Sequence, residues 1–164
     1  MKNFVVTGAV ALIALTAGMP ALAADAEGEA GAYIVAPLEI ERVNDLYFGA
    51  IAASATQSDK VVVAPDGSRQ CGPALTCLTA DHTAAEFGVT GESSAFYTID
   101  LPNEITIASS TGATMKVLEV TGSKSEGQLL SGQDSFTVGG TLEVGAQQEP
   151  GLYTGAFTVA VEYQ

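Results

Sequence analysis

The sequence predicts an all-β fold, a two-sheet β-sandwich. Three observations carry that expectation. β-branched and aromatic residues gather in short runs, and turn residues separate those runs at close intervals. No stretch makes a convincing helix; "TAAEF" could form one helical turn, but its neighbours are poor helix formers. Many short strands at this spacing close best as two packed sheets.

The elements follow in chain order. Lys2 precedes an uncharged, mostly apolar run from Phe4 to Met19, Pro20 breaks it, and Ala21-Leu22-Ala23 is a small-x-small cleavage site. This is read as a secretory signal peptide over residues 1–23. A membrane anchor is the competing reading, and the run falls short of the ~20 apolar residues that span a bilayer. The mature chain is expected to begin near Ala24, to be soluble once released and to carry no membrane span.

Residues 24–36 begin by alternating small apolar with acidic side chains, as far as Ala30, and Pro37 then interrupts any ladder. They read either as a disordered acidic tail or as an extended arm with one small-residue face. The remaining residues, 37–164, form one domain with no linker and no evident repeat. Strand-like runs occupy 32–43, 45–52, 60–64, 84–91, 95–101, 104–109, 114–122 and 135–144, followed by a terminal run from Leu152. Turns are expected at Pro65-Asp66-Gly67, Gly91-Glu92-Ser93-Ser94, Pro102-Asn103, Thr111-Gly112, Gly122-Ser123, Ser131-Gly132-Gln133 and Pro150-Gly151.

Cys71 and Cys77 are the only cysteines. In a secreted chain, two such close cysteines read as one disulfide, here expected to pin a local hairpin. A loop this short gives roughly 2–3 kcal/mol in the chain-entropy model. A redox or metal site is the alternative; there is no C-x-x-C, and the single histidine, His82, does not complete a zinc set.

The formal net charge is −13, and only Arg42, Lys60, Arg69, Lys116 and Lys124 are basic after residue 23. With no basic patch, nucleic acid is not an expected partner. His82 reads as a surface residue rather than a base, and no Gly-x-Ser-x-Gly stretch, calcium loop, P-loop or dinucleotide fingerprint occurs. No catalytic residue, metal or cofactor is expected; an enzyme with dispersed carboxylates is the most remote reading.

The terminal run is the most informative. Tyr153, Phe157, Val159, Val161 and Tyr163 fall on one face, with Gly155 between them, while Thr154, Ala156, Thr158, Ala160 and Glu162 fall on the other. Gly151 lies fourteen residues from the end and Tyr163 is penultimate. This G-x-Y-x-G-x-F-x-V-x-V-x-Y pattern resembles the C-terminal strand of bacterial chaperone–usher pilins. Together with "FTVGGTLEV" and "PLEI…DLYFGAI", it is also similar to a secreted Gram-negative family described as a domain of unknown function.

The resemblance implies an immunoglobulin-like sandwich that lacks its last strand. A periplasmic chaperone fills the gap first, at an outer-membrane usher, and then the arm of the next subunit fills it. It implies that Gly151, Tyr153, Gly155, Phe157, Val159, Val161 and Tyr163 build the acceptor groove, and that Ala26, Gly28, Ala30, Ala32 and Ile34 form the donor strand. The expected function is then a structural pilus or fimbrial subunit at the cell surface, partnered by copies of itself. The alternative is a stand-alone secreted or envelope binding module whose own arm supplies the missing strand. The cysteines depart from many pilins, where a disulfide ties the first strand to a later one.

Overall fold

The computed structural model describes residues 24–78 and 81–164. The signal-peptide reading falls on residues 1–23, outside the described residues. The chain divides into one unit up to Tyr33 and another from Ile34 to Gln164. In the first, residues 24–33 are exposed and belong to no strand.

The second unit is an antiparallel β-sandwich, with no helix among the described residues. Its large sheet has the order β1 (Glu39–Asn44), β6 (Ala85–Thr90), β11 (Gln133–Val144), β9 (Thr114–Gly122), β8 (Glu104–Ser109) and β12 (Tyr153–Thr154). β3 (Asp59–Val63) joins β11 beyond the end of β6, and β4 (Arg69–Cys71) joins β3. A three-stranded sheet runs β10 (Glu126–Gln128), β7 (Phe96–Asp100), β13 (Ala160–Tyr163). A small ribbon pairs β2 (Ile51–Ala52) with β5 (Thr76–Cys77).

β11 organises the domain because it changes partner half-way. Up to Val138 it pairs with β6, and from Gly140 onward with β3. Gly139 marks the change: a Cβ there would fall 2.7 Å from the Ala64 carbonyl carbon and 2.8 Å from the Pro65 nitrogen. On the other side, the register with β9 slips between Gly139 and Thr141. Opposite the slip, Glu119 holds a φ of 50° and its carboxylate accepts the Thr141 hydroxyl at 2.8 Å. A β-bulge is the normal home of such a residue.

Two apolar clusters fill the interior. One gathers Phe48, Val61, Val63, Leu75, Ile105, Val117, Leu142 and Val144; the other gathers Ala85, Phe87, Val89, Tyr97, Leu129, Phe136 and Val138. Leu46, Val120 and Phe157 flank both. The Phe157 ring meets Phe87 edge-on at 6.1 Å, and Phe87 stacks on Phe136 at 5.5 Å.

A polar knot closes the second cluster. The buried Tyr97 donates its hydroxyl to Asp134 Oδ2 at 2.9 Å, and Lys124 Nζ reaches both Asp134 oxygens at 2.8 and 2.7 Å. Gly127 makes room, since a Cβ there would strike Asp134 and the Tyr97 ring. Burial raises the Asp134 pKa, but the Lys124 ammonium, the Ser135 N–H and the Tyr97 hydroxyl outweigh it and hold the carboxyl below its ordinary value. Burial and the adjacent carboxylate push Tyr97 far above the ordinary phenol.

A carboxyl depressed in the folded state contributes stability above its unfolded pKa, about 3.9, and loses it as pH falls through the folded value. Asp134→Asn is therefore expected to cost about 2 kcal/mol near neutral pH. Thermal melts of the variant and the parent should converge in acid.

Several strand expectations are corrected. The run at 32–43 becomes a strand only from Glu39, because Pro37 has no N–H to offer a ladder. The run at 45–52 keeps only β2 and a single bridge from Tyr47 to Thr83. "TAAEF" enters that bridge and β6, not a helical turn. The Cys71–Cys77 bond is present, but it pins no hairpin: Cys71 lies on β4, Cys77 on β5, and those strands pair with β3 and β2 respectively. His82 is half-buried and its Nδ1 has no hydrogen-bond partner, so it is not the satisfied surface residue expected.

The turns follow their sequences. Asp66 accepts the Ser68 N–H at 2.8 Å, with Gly67 at φ 82°. Ser131 and Gly132 both have positive φ, 56° and 80°, which is the type I′ requirement for a tight hairpin.

Candidate functional site

The terminal run is not one continuous strand. Tyr153 and Thr154 pair with β8 in the large sheet, residues 155–159 pair with nothing, and Ala160–Tyr163 pair with β7 in the small sheet. The chain thus crosses from one sheet to the other. Gly155 permits the departure: a Cβ there would collide with the Thr106 carbonyl oxygen and lie 3.0 Å from Ile107 Cγ2. Phe157 is the hinge pin, packed on both clusters.

The two faces alternate except at Gly155, which is exposed. Tyr153, Phe157, Val159, Val161 and Tyr163 are half-buried, and every even position from 152 to 164 is exposed. Gly151 forms an exposed bend just before β12, and its backbone does not take a positive φ. A Cβ there would meet only Ser109 Cβ, at 3.8 Å.

Two clefts lie along this crossing segment, and both have the same two walls. The narrower, about 360 Å³, is bounded by Ile40, Arg42 and Asp45 on one side and residues 155–159 on the other, with Phe87 below. The broader, about 720 Å³, is bounded by residues 47–55 and residues 147–153, over a floor of Ile107, Met115, Leu142 and Val144. As one wall advances along the chain, the other retreats. Strands β1, β2 and β12, which contribute residues to these walls, and β13, which follows residues 155–159, are each terminal in their sheets. Among the described residues, none has a second strand bonded to its outer edge. The broad cleft has a mostly apolar lining, whereas Arg42 and Asp45 give the narrow one a mixed lining.

Tyr163 lies past the segment that lines the narrow cleft. Its hydroxyl accepts the Glu92 N–H at 2.7 Å and donates to the Ala36 carbonyl at 2.9 Å. Glu92 in turn takes the Ala36 N–H on its carboxylate at 3.1 Å. Gly91 leaves room for the phenol, since a Cβ there would strike it. The base of the arm is thus fixed beside β13. Further out, Ala26, Gly28, Ala30, Ala32 and Ile34 are exposed and in no strand, with Ile34 91% exposed.

The family model described as Domain of unknown function (DUF4402) matches residues 38–163. The chain belongs to that family. No curated protein and no solved structure matches it. The DUF4402 match takes in both walls of the groove and Tyr163, and starts after the arm.

Of the residues that the pilin resemblance assigns to a groove, Gly151 and Tyr153 line the broad cleft and Gly155, Phe157 and Val159 the narrow one, while Val161 and Tyr163 line neither. The facing residues from Ile40 to Ala55 carry only a faint sequence signal, the run of small residues "AIAASA": such side chains leave a shallow wall and a wide cleft. Among the described residues no three His, Cys, Asp or Glu come together as a metal site.

Proposed function

We propose that this protein is a structural subunit of an extracellular pilus or fimbria, which assembles when the arm of one copy enters the groove of another. One observation carries the reading: among the described residues, β1, β2 and β12, which contribute residues to the walls, are each terminal in their sheets, while residues 24–38 of the same chain are assigned to no strand. Strand addition would satisfy both, with backbone hydrogen bonds for affinity and side-chain sockets for register. A head-to-tail contact of this kind does not close, so it propagates as a filament.

The small residues Ala26, Gly28, Ala30 and Ala32 suit the narrow cleft, and Ile34 suits the broad one. The acids Asp25, Glu27 and Glu29 have the opposite parity and would stay in water. Before assembly, a periplasmic chaperone would cover the groove and an outer-membrane usher would direct the exchange. The exposed, strandless arm supports a donor role over a self-completed stand-alone module.

Deleting Ala24 to Gly31 is expected to leave the melting temperature unchanged and to abolish filaments. Thermal melts and electron microscopy of the full and truncated chains check this. Filaments from the truncated chain would reject the arm as donor, and a truncated chain that unfolds would favour self-completion.

A further inference from the structure

We propose that the Cys71–Cys77 bridge is a positioning device for the groove: it holds the β2 wall, rather than the sandwich, so that only the oxidised chain can receive a strand. The receiving role rests on the function proposed above; the positioning role does not.

The argument follows the connections outward from the core. β11 holds β3 over five residue pairs, and β3 holds β4 over three. There the ladder stops. The next link is the covalent bond from Cys71 to Cys77, which reaches β5, and β5 holds β2 over two pairs. Ile51 and Ala52 of β2 line the broad cleft. A two-pair ribbon has no independent stability, so the bridge is the covalent tie between this wall and the large sheet.

Further ties on the wall include Leu78 N–H to the Ala50 carbonyl at 2.9 Å, Gln147 N–H to the Ser54 carbonyl at 2.8 Å, Arg69 Nη1 to the Phe48 carbonyl at 3.1 Å, and the packing of Phe48 and Ile51 in the first apolar cluster. The loop under the bridge is also set for this task. Asp59 accepts the Ala74 N–H at 2.8 Å, and Gly72 is needed because a Cβ there would occupy the place of that carboxylate. The same bond, with the Lys60 N–H, holds the Asp59 carboxyl below its ordinary pKa. Cys77 packs partly buried against the first apolar cluster, and Cys71 belongs to neither cluster. The pairing of β6, β11 and β9 runs without them.

The bridge is opened by a dithiol. The Sγ–Sγ bond breaks, the two sulfurs take up two electrons and two protons to become thiols, and the dithiol closes to its own disulfide. Amide hydrogen exchange is measured on the oxidised chain, on the same chain after mild dithiothreitol treatment, and on the Cys71→Ser/Cys77→Ser variant. Binding of a synthetic peptide of residues 24–36 is measured in parallel.

Opening the bridge is expected to speed exchange at Leu78 and Gln147 by at least about tenfold, with β6 and β11 amides almost unchanged. Peptide affinity should fall by about tenfold or more, since a disordered wall must be ordered on binding. Unchanged protection at Leu78 and Gln147 overturns the proposal. So does loss of β6 and β11 protection at the same time, which would make the bridge a staple of the whole sandwich. If the oxidised chain itself takes no peptide, strand addition fails, and the exchange data still decide the positioning role. Should the serine variant not fold, the dithiol-treated native chain gives the same readout.

Discussion

A Gly139→Val chain is expected to lose about 3 kcal/mol or more and to accumulate largely unfolded. The first added carbon would press on the Val63 carbonyl oxygen, the Ala64 carbonyl carbon and the Pro65 nitrogen, all backbone atoms that cannot rotate aside. They belong to the end of β3 and the turn after it, where β11 exchanges β6 for β3. Moving them would unzip β3, and with it Val61 and Val63, both fully buried. Gly88→Ala is the control: its added carbon would meet only Val43 Cγ2, at 3.9 Å. That change should be neutral or slightly stabilising, by about 0.5 kcal/mol, through the unfolded chain. Chemical denaturation of both variants checks the contrast, and equal effects would reject the steric account.

The second large effect is expected at Val161. Val161→Asp places a carboxylate against the cluster that holds Phe87, Tyr97 and Phe136, with no basic partner offered there by the sequence. The cost is expected at about 2 kcal/mol, because the side chain is half rather than fully buried. In the proposed assembly filament yield should fall with it, since β13 follows directly on the segment that lines the narrow cleft. Val159→Asp, at the narrow cleft, should behave alike. Thr154→Asp and Glu162→Lys lie on the exposed face, outside both clefts, and should change neither folding nor filaments. Soluble yield and fibre formation are the measurements. Equal tolerance at all four positions would remove the terminal segment from the proposed groove.

Much of this architecture can be read from residue order, and the exceptions have physical causes. The face assignment of residues 153–163 matches the observed burial except at Gly155, because period-2 alternation survives whichever ladder a segment joins. For the same reason alternation conceals the transfer between sheets, and only Gly155 hints at it. The strand from Thr114 to Gly122 coincides with its apolar run, while β4, β5 and β10 escape notice because each has three residues or fewer and weak apolar content. The disulfide is legible from two close cysteines. That it joins different sheets is not, since short separation along the chain says nothing about the partners of each strand. The groove shows the same limit: its C-terminal wall is a pattern, and its opposite wall exists only once residues 40–55 are brought beside it.

The hydroxyl of Tyr163 and the carbonyl it serves on Ala36 are 127 positions apart in the chain. Nearly the whole domain must be threaded before that contact closes, and β11 likewise waits for β3 and β6 from far upstream. Such topology gives a high contact order, and chains of this type cross their rate-limiting barrier in milliseconds to seconds rather than microseconds. Throughout that interval the large sheet presents unpaired edges and apolar surface to any neighbour, the condition under which chains associate wrongly. The Tyr163–Ala36 contact is therefore one of the long-range closures that lengthen the time for which the nascent sheet stays adhesive.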